Sequence, residues 1–150
     1  MTDRPRSVLF MCRQNAVRSP MAETLARDIL GPGVFVASAG VRPGERDPFV
    51  DAVLAEDGLA LGSHQPHTLE DLEDSYFDLI VTLAPEAHHA ALELTRTLAV
   101  DVEYWPTPDP TAATGSREQI LSAYRDVRDR LKSRMRRRFA APEAADAQEA

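Results

Sequence analysis

The sequence predicts an α/β fold: a four-stranded parallel sheet, doubly wound, with helices on both faces. Apolar, strand-like runs alternate with helix signals four times along the chain. The early runs are continuously apolar, as strands buried on both faces must be, whereas the last alternates apolar with polar, as an edge strand does. Three of the four helix signals open on a proline, which suits a first helical turn, and right-handed crossovers then set the strands parallel.

The first strand is the run Val8, Leu9, Phe10 and Met11, which ends at Cys12, and a polar loop over residues 13–17 follows. A helix is predicted over residues 20–30 from Pro20, burying Met21, Leu25 and Ile29, and Gly31-Pro32-Gly33 stops it. Val34-Phe35-Val36-Ala37 reads as the second strand, and Ser38-Ala39-Gly40 leaves its end on the same rim as Cys12. Beyond a loop over residues 41–46, Asp47 is the N-cap of a helix that has Pro48 at its first position and ends at Gly58. Residues 59–67 read as a loop and residues 68–71 as a short helical turn. Residues 78–83 form a third, buried strand. Pro85 opens a helix to Leu94, and residues 100–105 alternate as the edge strand. Pro106-Thr107-Pro108-Asp109-Pro110 is too proline-rich for a helix or a central strand, so it is a stiff loop. Ser116 to Gln119 is a capping box, and Ile120, Tyr124, Val127, Leu131 and Met135 mark one face of a long closing helix.

A chain of 150 residues suits one domain, expected over residues 1–139, with the alanine- and acid-rich residues 140–150 a disordered tail. The single cysteine excludes an intramolecular disulfide, and with no secretory leader and no apolar run of membrane-spanning length the expectation is a soluble, cytoplasmic protein. Cations number 17 against 24 acids, yet residues 117–138 hold nine cations against three acids. Such a stripe can suggest nucleic acid or an acidic membrane. The acidic remainder of the chain would repel a polyanion, so the stripe is expected to be a solvated helix face whose charges suit the C-terminal end of the dipole.

The chemistry gathers where strand, loop and helix meet. A loop entering a helix points free N–H groups and the positive end of the dipole into one small space, which suits an anion. Cys12 stands at the strand's end in that potential, which favours the thiolate. Five residues separate it from Arg18, so a curled loop lets the guanidinium fork onto an oxyanion in front of the sulfur. A lone cysteine is usually a small buried hydrophobe, but this context makes Cys12 a nucleophile. The histidines at 64, 67, 88 and 89 have no matching cysteine or carboxylate cluster, so no metal is expected.

Cys-x5-Arg-Ser after a hydrophobic strand, then Pro-Met-Ala-Glu, resembles the low-molecular-weight protein tyrosine phosphatases and the related thioredoxin-coupled arsenate reductases. The resemblance continues through Ser38-Ala39-Gly40, Asp47-Pro48, residues 77–83 and Pro108-Asp109-Pro110, covering residues 7–138. It implies hydrolysis of a phosphorylated protein or small phosphate ester through a cysteinyl-phosphate, without cofactor or metal. Cys12 is then the nucleophile and Asp109 the general acid, and Arg13, Gln14, Asn15, Ala16, Val17, Arg18 and Ser19 form the phosphate-binding loop. Phosphate, sulfate or arsenate would bind there. The resemblance also implies that Asn15 shapes the cradle by bonding to a serine and a histidine, for which Ser38 and His64 stand. Ser19 is either a helix N-cap, a donor to the thiolate, or both. A monomer or weak dimer is expected, with no nucleic-acid or membrane partner.

Three positions depart from the family pattern. Gln14 replaces a usual glycine, so either the backbone there needs no positive φ or the cradle is altered. Val17 replaces the second cysteine of many eukaryotic members, and Thr111-Ala112-Ala113 replaces paired tyrosines, which weakens stacking on a phosphotyrosine ring. The reductase branch relays electrons through two further cysteines, which this chain lacks. The alternatives are therefore an arsenate reductase using an external thiol such as glutathione or mycothiol, and a phosphate-binding module with little turnover.

Overall fold

The strand Ser7–Cys12 (β1) runs through the middle of the molecule, with Val8 to Cys12 all buried. Its side chains alternate, Val8, Phe10 and Cys12 facing one core and Leu9 and Met11 the other, which is why the run is apolar throughout. The computed structural model describes residues 5–62, 64–71, 77–96 and 98–139. The expected tail over 140–150 lies outside the described residues.

Parallel pairing of β1 with β2 (Phe35–Gly40) on one side and β3 (Leu79–Thr82) on the other, and of β3 with β4 (Asp101–Tyr104), sets the order β2-β1-β3-β4. The four-stranded parallel sheet is as the sequence predicts. Helices α1 (Arg18–Leu30), α2 (Pro48–Ala55) and α4 (Arg117–Arg138) cover the first face, where Met21, Leu25, Val50, Val53, Leu54, Tyr124, Val127, Leu131 and Met135 join Val8 and Phe10 in one cluster. Helix α3 (Pro85–Leu94) covers the other, with Ala87 and Ala91 against Leu9, Met11 and Phe77. Because the chain leaves β1 toward β2 but returns to its other side as β3, the carboxyl end of β1 is a topological switch point, where open α/β sheets bind ligands.

Several boundaries differ from the sequence-based expectation, each for a local reason. Helix α1 starts at Arg18, two residues before Pro20, because the loop has already curled; its N-cap is Val17, with no side-chain cap, so Ser19 is not the cap. Ile29 and Ile120 are only half-buried, while Leu30 and Leu121 take the buried places. Strand β2 runs on through Ser38-Ala39-Gly40 because β1 extends beside it, pairing Phe10 with Ser38 and Cys12 with Gly40. Helix α2 stops at Ala55 and unwinds to Gly58, whose φ of 74° lies in the left-handed region. No helix among the described residues is long and apolar enough to cross a membrane.

Two helix starts follow the sequence closely. Asp47 Oδ1 accepts from the Phe49 N–H at 2.9 Å, while its Oδ2 accepts from the Tyr124 hydroxyl at 2.6 Å, tying α2 to α4. At α4 the Ser116 hydroxyl accepts from the Gln119 N–H at 3.2 Å and the Gln119 side chain accepts from the Ser116 N–H at 2.7 Å. Ser116→Ala breaks that reciprocal cap. It is expected to cost about 1 kcal/mol, read as a fall of about 2–4 °C in melting temperature for a chain of this size. An unchanged melting curve would mean that α4 holds its first turn by packing alone.

Candidate active site

The loop between β1 and α1 wraps around the Cys12 sulfur. Cys12 is 2% exposed, and its Sγ receives the N–H groups of Asn15 at 3.3 Å and Ser19 at 3.4 Å, with the Ser19 hydroxyl at 2.9 Å. Ser19 Oγ accepts from Asn15 Nδ2 at 2.9 Å, and its own proton has two acceptors within reach, the Cys12 sulfur at 2.9 Å and the Ala39 carbonyl at 3.4 Å.

Asn15 is the one described non-glycine residue with positive φ, at 55°, a conformation asparagine tolerates better than most residues. Its side chain is fully buried and well satisfied: Nδ2 donates to Ser19 Oγ and Ser38 Oγ, each at 2.9 Å, and Oδ1 accepts from the His67 N–H at 3.0 Å. Ser38 in turn donates to the Glu23 carboxylate, which pairs with Arg27 one helical turn along α1. Ser38 is therefore where the sequence places it. His64 also bonds to Asn15, but through its ring Nε2 and the backbone carbonyl at 3.4 Å, while the side-chain amide takes the backbone N–H of His67. Burial, outweighing the bond to Asn15, holds the His64 imidazole below its usual value and so favours the neutral ring.

Gly40 and Gly44 make room for this loop. A Cβ at Gly40 would lie 2.7 Å from the Asn15 nitrogen and the Gln14 carbonyl carbon, both backbone atoms that cannot move aside. A Cβ at Gly44 would lie 2.8 Å from Gln14 Cβ. Gln14 itself has no positive φ, so of the two possibilities left open above, the backbone here needs no glycine. Its side chain rests where the opposite loop offers none.

Arg18 enters from the first turn of α1. Its Nη1 donates to the Thr107 carbonyl at 2.9 Å and its Nη2 stands 3.8 Å from Asp109 Oδ2. The proline-flanked Asp109 thus reaches the same space as Cys12. Its Oδ1 accepts from both the N–H and the hydroxyl of Thr111, at 3.0 and 2.7 Å. Burial works against the charged form of this carboxyl, but the Thr111 bonds and the nearby Arg18 and Arg13 outweigh it and hold the group below the usual carboxylate range. Cys12, Arg13, Gln14, Ala16, Val17, Arg18, Asp109 and Thr111 line a cavity of about 190 Å³. Arg13 of this lining pairs with Glu86 of α3 at 3.6 Å, and Glu86 also pairs with Arg42 at 3.0 Å. Sequence reasoning missed Glu23, His67, Thr107, Thr111 and Glu86. Among the described residues no group of three or more His, Cys, Asp or Glu is placed to hold a metal ion.

The family model for the low molecular weight phosphotyrosine protein phosphatase matches residues 7–148. An arsenate reductase of Bacillus subtilis is 29% identical over 86% of this chain and 91% of its own. A solved arsenate reductase in its phosphate-binding state is 26% identical, with a TM-score of 0.69 over 90% of this chain and 97% of that one. The YwlE arginine phosphatase of Geobacillus stearothermophilus, 22% identical, shares the fold with a TM-score of 0.76 over 97% and 98% of the two chains.

Asn15→Ala removes three hydrogen bonds from a buried site and puts alanine at positive φ. Denaturant unfolding is expected to show a loss of about 2 kcal/mol or more, and a loss near zero would sink the view that this amide holds the loop.

Proposed function

The chain belongs to the low molecular weight phosphotyrosine protein phosphatase family, and from that premise we propose that it hydrolyses phosphate monoesters, in phosphotyrosine proteins or small aryl phosphates, through a cysteinyl-phosphate. The observation that carries this reading is the convergence of Cys12, Arg18 and Asp109 on one cavity of about 190 Å³. Arg18 forks onto two equatorial oxygens of the bound phosphoryl group while the loop amides meet the rest. The Cys12 thiolate attacks phosphorus, the bond to the leaving oxygen breaks, and Asp109 gives that oxygen its proton. Water then attacks phosphorus, Asp109 takes a proton back, the S–P bond breaks, and phosphate leaves the thiolate restored.

In the free protein Asp109 is held low, so it is ionised before substrate arrives. A bound dianion changes this in two ways that act together. It adds negative charge beside the carboxylate, and it draws the Arg18 guanidinium away from Asp109 Oδ2. Both raise the carboxyl's proton affinity, so the general acid is charged with its proton by the substrate itself.

The likeness to the Bacillus subtilis arsenate reductase favours one second reading. Arsenate would occupy the same cradle, and its two-electron reduction would leave Cys12 in a mixed disulfide with an external thiol as arsenite departs. With a single cysteine the chain supplies no resolving thiol of its own.

Hydrolysis of p-nitrophenyl phosphate between pH 5 and 8 is expected for the native chain and absent from Cys12→Ser. Arg18→Lys should lose most turnover, because an ammonium cannot copy the bidentate fork. No hydrolysis by the native chain, together with arsenate reduction on adding glutathione, would replace this reading by the second. Asp109→Asn is expected to slow hydrolysis by about 10²–10⁴-fold on poor leaving groups and less on good ones. Thr111→Val removes a hydrogen bond to the charged carboxylate, so Asp109 should hold its proton to higher pH and the basic limb of the kcat profile should move upward. A downward or null shift would mean that another group sets that limb.

A further inference from the structure

The strap that carries Asp109 has a second face. Behind it, Trp105, Pro106, Thr107 and Pro108 stand against the exposed stripe Arg130, Ser133, Arg134 and Arg137 of α4, enclosing a groove of about 280 Å³. Of the nine cations of α4, four are paired with carboxylates, three line the groove, and Arg117 and Arg136 lie outside both sets. Arg125, Arg128, Lys132 and Arg138 are each paired with a carboxylate: Glu56 and Glu118, Glu56 and Asp129, Asp57, and Glu103. Those of the groove are not. Among the described residues Arg134 lies over the Trp105 ring at 5.2 Å, Arg137 donates to Ser133 Oγ at 3.3 Å, and Arg130 meets no carboxylate.

Three guanidiniums facing one groove, with no carboxylate partner among the described residues, repel one another, and an anion between them relieves that repulsion. Their spacing says which kind. Arg130 and Arg137 are seven residues apart, about 10 Å at the α-helical rise, too far for one tetrahedral oxyanion to bridge and suited to successive carboxylates of an extended chain. The proline wall adds apolar contact. A nucleic acid is disfavoured by the chain's net charge of −7.

We propose that this groove is a subsite for an acidic peptide segment flanking the phosphorylated residue of a protein substrate. The proposal rests on the phosphatase reading above. The groove and the catalytic cavity lie along consecutive strap residues, with Thr107 lining the first and Asp109 the second. An extended chain advances about 3.3 Å per residue, so side chains two to four residues from the phosphorylated one are the ones a groove on the adjoining strap residues would meet. The Thr107 carbonyl also accepts from Arg18, so a chain lying on the strap presses on the group that fixes the guanidinium.

The test compares two phosphotyrosine peptides, one with glutamates two to four residues from the phosphotyrosine and one with glutamines there, on the native chain and on the double variant Arg130→Gln, Arg137→Gln. The glutamate peptide should have a KM about five- to tenfold lower on the native chain, an advantage that 0.5 M salt abolishes and that the double variant lacks, with p-nitrophenyl phosphate kinetics unchanged throughout. Equal KM values for the two peptides, with both hydrolysed, would overturn the subsite and leave the phosphatase reading standing. Trp105 is the chain's single tryptophan and lines the groove, so its fluorescence reports occupancy without turnover. If nothing is hydrolysed, a saturable fluorescence change with the unphosphorylated glutamate peptide, absent in the double variant, would uphold acidic-peptide docking while the phosphatase reading fails. Tighter titration by a single-stranded oligonucleotide than by the peptide would overturn the proposal in favour of nucleic acid.

Discussion

The side-chain amide of Asn15 is the constraint on which the site depends. A loop that folds back over a cysteine sulfur must turn its N–H groups inward, and that puts one residue into the left-handed region, which costs a non-glycine residue on the order of 1–3 kcal/mol. The cost is offset because the amide of that same residue reaches Ser19, Ser38 and the backbone of His67. Three elements meet there: the start of α1, the end of β2 and the segment before the short helical turn. The network does not stop at Ser38, since Glu23 and Arg27 continue it to the surface of α1. A carboxylate as buried as Glu23 is tolerable only because it is both hydrogen-bonded and paired. The sulfur's surroundings are thus held by the sheet, with Gly40 bare beside Cys12 because any side chain there would strike the loop backbone.

The second organising element is the proline-rich strap. Its backbone carbonyl at Thr107 fixes Arg18, its carboxylate at Asp109 faces the cavity, and Trp105 at its start is buried between Phe10 and Phe139. Prolines at 106, 108 and 110 limit the conformations this segment can lose on folding, so aiming a carboxylate from a loop costs less than loop entropy alone would suggest. Guanidinium and carboxylate lie close without a tight ion pair, 3.8 Å apart. A tighter pair would have to be broken before an oxyanion could bind.

The alternation of apolar runs with proline-led helix starts was enough to read the sheet, because a parallel strand buried on both faces leaves a continuous apolar signature. Strand β2 was read short because Ser38, Ala39 and Gly40 have weak strand preference, and only pairing with β1 keeps them extended. Cys12, Arg18 and Asp109 were legible because each carries its chemistry in the side chain and stands in a recognisable neighbourhood. His67 was not, since it contributes a backbone N–H that any residue but proline has; the histidine singled out by type, His64, meets the loop through a backbone carbonyl instead. Glu23 lay inside the motif, but nothing in one dimension says that Ser38 will stand above it. Gln14 looked like a fault in the cradle because its compensation, Gly44, is thirty residues away.

The cradle alone does not discriminate between phosphate and arsenate, which share tetrahedral shape and charge; the discrimination lies in what attacks next. Hydrolysis needs water and a base, and the carboxyl that lines the cavity, Asp109, is held below the usual carboxylate range and so is ionised. Reduction needs a second sulfur. The neighbouring loop position that would offer one holds Val17, itself buried, so the thiol must come from outside and approach a cysteine that is 2% exposed, through a cavity of about 190 Å³. The two readings therefore part at the second nucleophile, which is water for hydrolysis and an outside thiol for reduction, since the chain holds a single cysteine.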